Sequence, residues 1–152
     1  MTQLRFVQVD AQADGGTAAE DWRHVHNTII PSSPLTLDDV RERSGRNLLE
    51  VAYLDGVLVG CSTVRSPTDE DAATVIARTL PAHRGRGIGT ALYERGLARA
   101  RERAVGGLVE TVVWEANTEG LRFALSHGFE ETDRYVLPGD DVPWITLAQT
   151  FA

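Results

Sequence analysis

The chain has one cysteine, Cys61, in 152 residues. That excludes an intramolecular disulfide and any thiolate-based zinc cluster. No apolar run approaches the length of a membrane span. Met1-Thr2-Gln3-Leu4-Arg5 has no apolar core after a charged start, so no signal peptide is visible and a cytoplasmic location is the default expectation. Basic residues are too few to give a positive surface: 15 Lys+Arg stand against 22 Asp+Glu, for a formal net charge of −7. Non-specific nucleic-acid binding therefore has little electrostatic support. No histidine pair has a ligating spacing with a carboxylate partner, so no metal is expected. Repeats and low-complexity segments are absent too. What is there is one domain's worth of chain, 1–152, with the apolar fraction of a soluble globular protein.

The elements follow from periodicity and punctuation. Leu4 to Val9 alternates as a half-buried strand. After a Gly-rich loop, Thr17 with Glu20 forms a capping-box pattern and opens a helix bearing Trp22, Val25, His26, Ile29 and Ile30. Pro31 and Pro34 stop it. Thr36 caps a short helix, Leu37 to Arg43, ending near Gly45. Leu48 to Leu54 and Val57 to Val64 are strands joined by Asp55-Gly56, a two-residue hairpin turn. A polar turn with Asp69, Glu70 and Asp71 precedes Ala72 to Leu80, a strand apolar enough to be central. A helix runs from about Gly87 to Ala104, and Gly106-Gly107 ends it. Leu108 to Trp114 is a further buried strand. Asn117 or Thr118 caps a helix that His127-Gly128-Phe129 closes. Glu130 to Leu137 and Val142 to Leu147 form the last antiparallel pair. The order β-α-α-β-β-β-α-β-α-β-β, with one βαβ unit and one tight hairpin, predicts an α/β (α+β) domain. Its sheet is mixed and mostly antiparallel, of about seven strands, with helices on both faces. The first two helices are placed as a pocket wall.

The densest chemical signal is Arg84-Gly85-Arg86-Gly87-Ile88-Gly89-Thr90. Three alternating glycines clear side chains from a strand-to-helix turn, so consecutive N–H groups converge on one spot. The helix N-terminus adds its positive end. This is a phosphate cradle. A P-loop needs a Lys-Ser/Thr pair after the last glycine, and Thr90-Ala91 supplies none. The glycine spacing also differs from the dinucleotide fingerprint, and too little chain remains for that fold. The pyrophosphate of coenzyme A is the third reading.

Arg84 to Gly89 resembles the acetyl-CoA signature of the GNAT N-acetyltransferases, Arg/Gln-x-x-Gly-x-Gly/Ala after a strand ending near proline. Asn117 to Phe129 resembles that family's later motif, in which an asparagine opens a helix and Gly-Phe closes it. The resemblance covers the chain after Gln3 and implies a GNAT-like fold with a central parallel pair of splayed strands. It implies acetyl-CoA as co-substrate and direct attack of a primary amine, of a small molecule or a peptide, on the acetyl group. N–H groups of Arg84, Gly85, Arg86, Gly87, Ile88, Gly89 and Thr90 would bind the pyrophosphate. Thr79, Leu80 and Asn117 would bond the pantetheine arm.

The family's usual proton donor is a tyrosine four residues before the Gly of Gly-Phe, and here that position is Ala124. Tyr135 substitutes only if its side chain turns into the wedge. Glu115, next to Asn117, is the candidate base, against a plain solvated carboxylate. His83 sits on the phosphate turn, and His26 shares an apolar stripe and is expected to pack. Asp69-Glu70-Asp71 reads as a solvated turn able to attract a cationic amine. The alternative to catalysis is a non-catalytic acyl-CoA-binding module of the same fold. Edge pairing through the C-terminal hairpin would make a homodimer.

Overall fold

The structure is a computed structural model that describes residues 3–10, 17–65, 73–103, 108–139 and 141–150. Seven strands form one sheet in the order β1-β2-β3-β4-β5-β7-β6. They are β1 (Leu4–Gln8), β2 (Leu48–Leu54), β3 (Val57–Val64), β4 (Ala73–Thr79), β5 (Leu108–Trp114), β6 (Glu130–Tyr135) and β7 (Trp144–Thr150). Five of the six pairings are antiparallel; only β4 and β5 run parallel. That parallel pairing is short. It holds at Ala73↔Val109 and Thr74↔Glu110, beyond which no register continues. The sheet therefore opens into a wedge toward the C-terminal ends of β4 and β5.

Buried clusters on each side explain why the sheet is covered on both faces. Helices α1 (Thr17–Ile29) and α2 (Leu37–Ser44) pack over one face. There Trp22, Val25 and Ile30, all at most 1 % exposed, meet Leu49, Val51 and Cys61. Each such aliphatic side chain contributes roughly 1.5–3 kcal/mol by leaving water. Trp22 Nε1 also donates to Ser62 O at 3.1 Å, so the indole is satisfied where it is buried. On the opposite face, α3 (Ile88–Arg103) and α4 (Thr118–Ser126) cover Val75, Val109, Ile145 and Leu147. Glu50, on this face of β2, takes a bidentate pair from Arg95 of α3 (2.8 and 3.0 Å).

Local signals shape the connections. Asp55 (φ 51°) and Gly56 (φ 85°) are both left-handed, the geometry of a two-residue hairpin. Thr36 and Asp39 form a reciprocal capping box on α2. Gly128 takes φ 87°, and Phe129 N–H returns to Ala124 O at 3.2 Å, closing α4.

Several boundaries differ from expectation for visible reasons. Thr17 lies within α1 rather than capping it, and α3 starts at Ile88 rather than Gly87. β4 ends at Thr79, because Leu80 turns into the 3-10 segment Pro81–His83. β6 stops at Tyr135. β7 runs to Thr150 because it pairs with the whole of β5, from Trp114↔Trp144 to Leu108↔Thr150. Pro143 has no N–H and stands just before it. The expected turn Asp69-Glu70-Asp71 and the stop Gly106-Gly107 lie outside the described residues.

Candidate active site

The wedge sits between β4 and β5, and the parity of each strand decides what faces it. Thr74 O accepts from Arg65 N–H, and Leu80 N–H donates to Val59 O, both 2.8 Å, so even-numbered residues of β4 bond β3. Alternation then turns the backbone groups of Ala77 and Thr79 toward the gap. On the other side, Glu115 N–H bonds Pro143 O at 3.0 Å, which gives the odd positions of β5 to β7. Val112 and Trp114 therefore face β4. Ala77, Val112 and Trp114 all line the wedge, with Arg78, Asn117 and Ala124.

At its mouth the wedge widens into a cleft of about 520 Å³ bordered by the glycine turn and α4. Gly85 (φ 81°) and Gly87 (φ 80°) adopt left-handed backbone with nothing within 4 Å of where a Cβ would sit. Their lack of a side chain keeps the cradle open and unstrained. Gly89 serves differently: a Cβ there would approach Thr79 Oγ1 at 3.2 Å and the Phe123 ring at 3.5 Å, so it lets α3 sit against both rims. The first α3 bond is Ala91 N–H to Gly87 O, 3.0 Å. The N–H groups of Ile88, Gly89 and Thr90 therefore have no partner within the helix. No acidic residue stands in that first turn.

Side chains cross-brace the mouth. Arg84 Nε donates to Thr79 O at 3.0 Å while its Nη1 meets Glu119 Oε2 at 2.6 Å, tying β4 to α4. Asn117 caps α4 by accepting from Gly120 N–H at 3.2 Å, and it also lines both the wedge and the cleft. His83 lines the cleft with a buried, unpartnered Nδ1.

Some expected site residues are placed elsewhere. Leu80 gives its N–H to Val59 O and its carbonyl accepts from His83 N–H (2.9 Å), so its backbone points toward β3 and the following turn rather than into the gap. Ala77, which sequence reasoning missed, faces the gap instead. Arg84 is already paired and does not add a free charge to the cradle. Glu115 is held by Arg134 at 2.7 Å, which also grips Glu131, and it lines neither the wedge nor the cleft. Tyr135, 39 % exposed on edge strand β6, does not turn into the wedge. Ala124 does line it, 3 % exposed and without a hydroxyl. His26 packs as expected, 4 % exposed and stacked on Trp22. Burial first, and Arg78 second, push its pKa down to about 4, so it is neutral near pH 7. Burial raises the Cys61 thiol to about 12. Among the described residues, no group of three or more His, Cys, Asp or Glu side chains could hold a metal, and no helix is long and apolar enough to cross a membrane.

An open, splayed parallel pair with a glycine turn and a helix N-terminus at its mouth is the arrangement of an acetyltransferase fold. The chain belongs to the acetyltransferase (GNAT) family, whose model matches residues 17–129. Solved structures agree on the fold. A protein provisionally named a phosphinothricin N-acetyltransferase superposes with a TM-score of 0.77 at 20% identity, over 99% of this chain and 99% of its own. The provisionally named acetyltransferase yncA of Salmonella typhimurium, determined with its cofactor acetyl-CoA, gives 0.71 at 17% over 97% and 94%. The ribosomal-protein-S18-alanine N-acetyltransferase of Escherichia coli gives 0.73 at 18% over 97% and 94%. No curated protein matches. Acetyl-CoA is the family's co-substrate, and the open cradle with its unspent N–H groups fits a pyrophosphate.

Proposed function

We propose that this acetyltransferase moves the acetyl group of acetyl-CoA to a primary amine of a small molecule or peptide terminus by direct attack. The observation that carries the reading is the wedge, which runs from the cradle at Gly85–Thr90 through to Ile30 and Trp114 on the α1 side. When bound, the donor supplies a thioester whose carbonyl carbon takes the amine and whose sulfur leaves as the thiol. The N–H groups from Gly85 to Thr90 hold the pyrophosphate, and Arg122 borders the same cleft. Ala77 and Thr79 offer strand-edge groups to the pantetheine arm, as does Asn117 from the opposite rim. Two protons must move: the ammonium loses one before attack, and the leaving sulfur gains one. Tyr93 lines the wedge with its hydroxyl accepting from Gln149 Nε2, which leaves its own O–H free to donate. Among the described residues no carboxylate lines the wedge, so solvent takes the ammonium's proton. The leaving sulfur takes its proton from solvent or from the Tyr93 O–H. A thiol-detecting assay with acetyl-CoA and a broad amine panel tests the reading; amine-dependent thiol release is the expected result.

The non-catalytic acyl-CoA-binding module has one observation in its favour, the missing hydroxyl at Ala124. Ala124→Tyr separates the two. In an enzyme the added phenol raises kcat about 100-fold, at the low end of general-acid effects, with the KM for acetyl-CoA within about twofold. Thiol release that stays absent in both proteins while acetyl-CoA binds gives the module reading.

A further inference from the structure

The arginines divide by whether a carboxylate meets them. Arg23, Arg41, Arg46, Arg84, Arg95 and Arg134 each sit in an ion pair. Arg43, Arg65 and Arg78 have no carboxylate within 4 Å among the described residues, yet all three are partly buried. They also converge. Arg78 is in register with Cys61, a member of the core under α1, so its side chain lies on the α1-facing side of β4, where it lines the wedge. Arg65 follows β3 on the same face, anchored by its N–H to Thr74 O. Arg43 comes from the last turn of α2, which packs on that face. Desolvation lowers the pKa of each; Arg65 and Arg43 add to the fall at Arg78, and Arg43 and Arg46 to that at Arg65. Tyr135 and Glu110 act in the opposite direction on Arg65, Asp39 and Glu42 do so on Arg43, and Cys61 does so on Arg78.

Like charges held together and partly out of water are costly unless something negative meets them. A guanidinium presents a planar fork that matches a carboxylate bidentately. Arg78 also stands in the wedge wall, so an anion on it lies beside the place where an amine must reach the thioester. Resting on the acetyl-transfer reading, we propose that the acceptor carries a carboxylate a few bonds from its amine, as an amino acid does, and that Arg78 binds that group, with Arg65 and Arg43 adding to the positive field around it. The same field disfavours polyamines and other purely cationic acceptors.

Tryptophan fluorescence reads the test, because Trp114 lines the wedge. With saturating CoA, the twenty free α-amino acids, their α-amides and spermidine are titrated into the wild-type protein, R78Q and R65Q. A third set, peptide amides that begin with aspartate, tells a free amino acid's carboxylate from one on a peptide side chain. At least one carboxylate-bearing ligand saturates the signal and binds roughly 10- to 100-fold more tightly than its α-amide, which lacks the negative charge, the range for hydrogen bonds to a charged group. R78Q removes most of that preference and leaves amide binding unchanged; R65Q, at a less central position, removes part of it and keeps the test open should R78Q fail to fold. Amides or spermidine binding as tightly as acids, no acid binding at all, or an unaltered preference in both variants overturns the proposal. Calorimetry with acetyl-CoA on the same samples keeps the two failures apart. Acetyl-CoA binding without a preference for acids removes the anion site alone, whereas no acetyl-CoA binding removes the acetyl-transfer reading.

Discussion

The two ends of the wedge are made of different material. The coenzyme end is backbone: left-handed Gly85 and Gly87, the unspent N–H groups of α3's first turn, and the strand edges at Ala77 and Thr79. Its side chains mostly brace, as Arg84 does between Thr79 and Glu119. The end facing α1 is made of side chains, with Arg78 in the wedge wall and Arg43, Arg65 and neutral His26 on the same side of the sheet. A backbone site is fixed by the fold and indifferent to most substitutions. A side-chain site sets selectivity and responds to pH. That contrast suits a shared donor and an individual acceptor.

Substitution at Gly87 breaks the coenzyme end most severely. Gly87→Glu forces a side chain into φ 80° and sets a carboxylate against the phosphates. Acetyl-CoA affinity falls by at least roughly 100-fold by calorimetry, equivalent to about 2.7 kcal/mol. The far-UV circular dichroism stays native, since nothing lies within 4 Å of the new Cβ. An unchanged affinity would mean that the phosphates bind elsewhere.

The next effect belongs to the side-chain end. His26 has its pKa lowered from 6.5 to about 4. Between those values the unfolded chain binds a proton that the folded one refuses, so stability falls as pH drops from about 6.5 to about 4. Linkage puts the full loss at about 3 kcal/mol, complete once pH is below the folded value. Urea denaturation across this range shows a slope that His26→Gln flattens. A histidine titration by NMR shows the His26 pKa rising in R78Q, since Arg78 contributes to lowering it. Equal slopes in wild type and His26→Gln would remove this account of the acid limb.

The smallest effect tests the bracing. Glu119→Gln frees one arm of Arg84 while Thr79 O still holds the other. Side-chain exposures of 28% and 59% make this a screened pair worth under about 1 kcal/mol. Acetyl-CoA affinity shifts by less than about threefold by calorimetry. A larger shift would give Arg84 a direct share in phosphate binding.

The same division explains what the sequence made legible. The Asp55-Gly56 hairpin, the Thr36 cap of α2, the Gly128 stop and the glycine turn after β4 were all readable, because each is a demand the backbone makes on its own residues within a few positions. The Thr36–Asp39 box, by contrast, was missed, and one was expected at Thr17 instead. The α1 helix and its packed His26 followed from periodicity. Long-range pairings left no comparable trace. Arg84 with Glu119, and Glu115 with Arg134, are set by the splay of β4 and β5 and by the placement of β6. The parity that hands Ala77, rather than Leu80, to the wedge depends on registration against β3. The placing of Arg43, Arg65 and Arg78 on one side of the sheet depends on α2, the end of β3 and β4, and no spacing along the chain announces it. The extension of β7 to Thr150 was likewise hidden, since it reflects pairing with the full length of β5.

Calorimetric titration of acetyl-CoA into the wild-type protein and Gly87→Glu tests the backbone cradle most directly. The account predicts one-to-one binding to the wild type with Kd below about 100 μM, lost in the variant. No heat from the wild type at high micromolar ligand, or equal binding by both proteins, would contradict it.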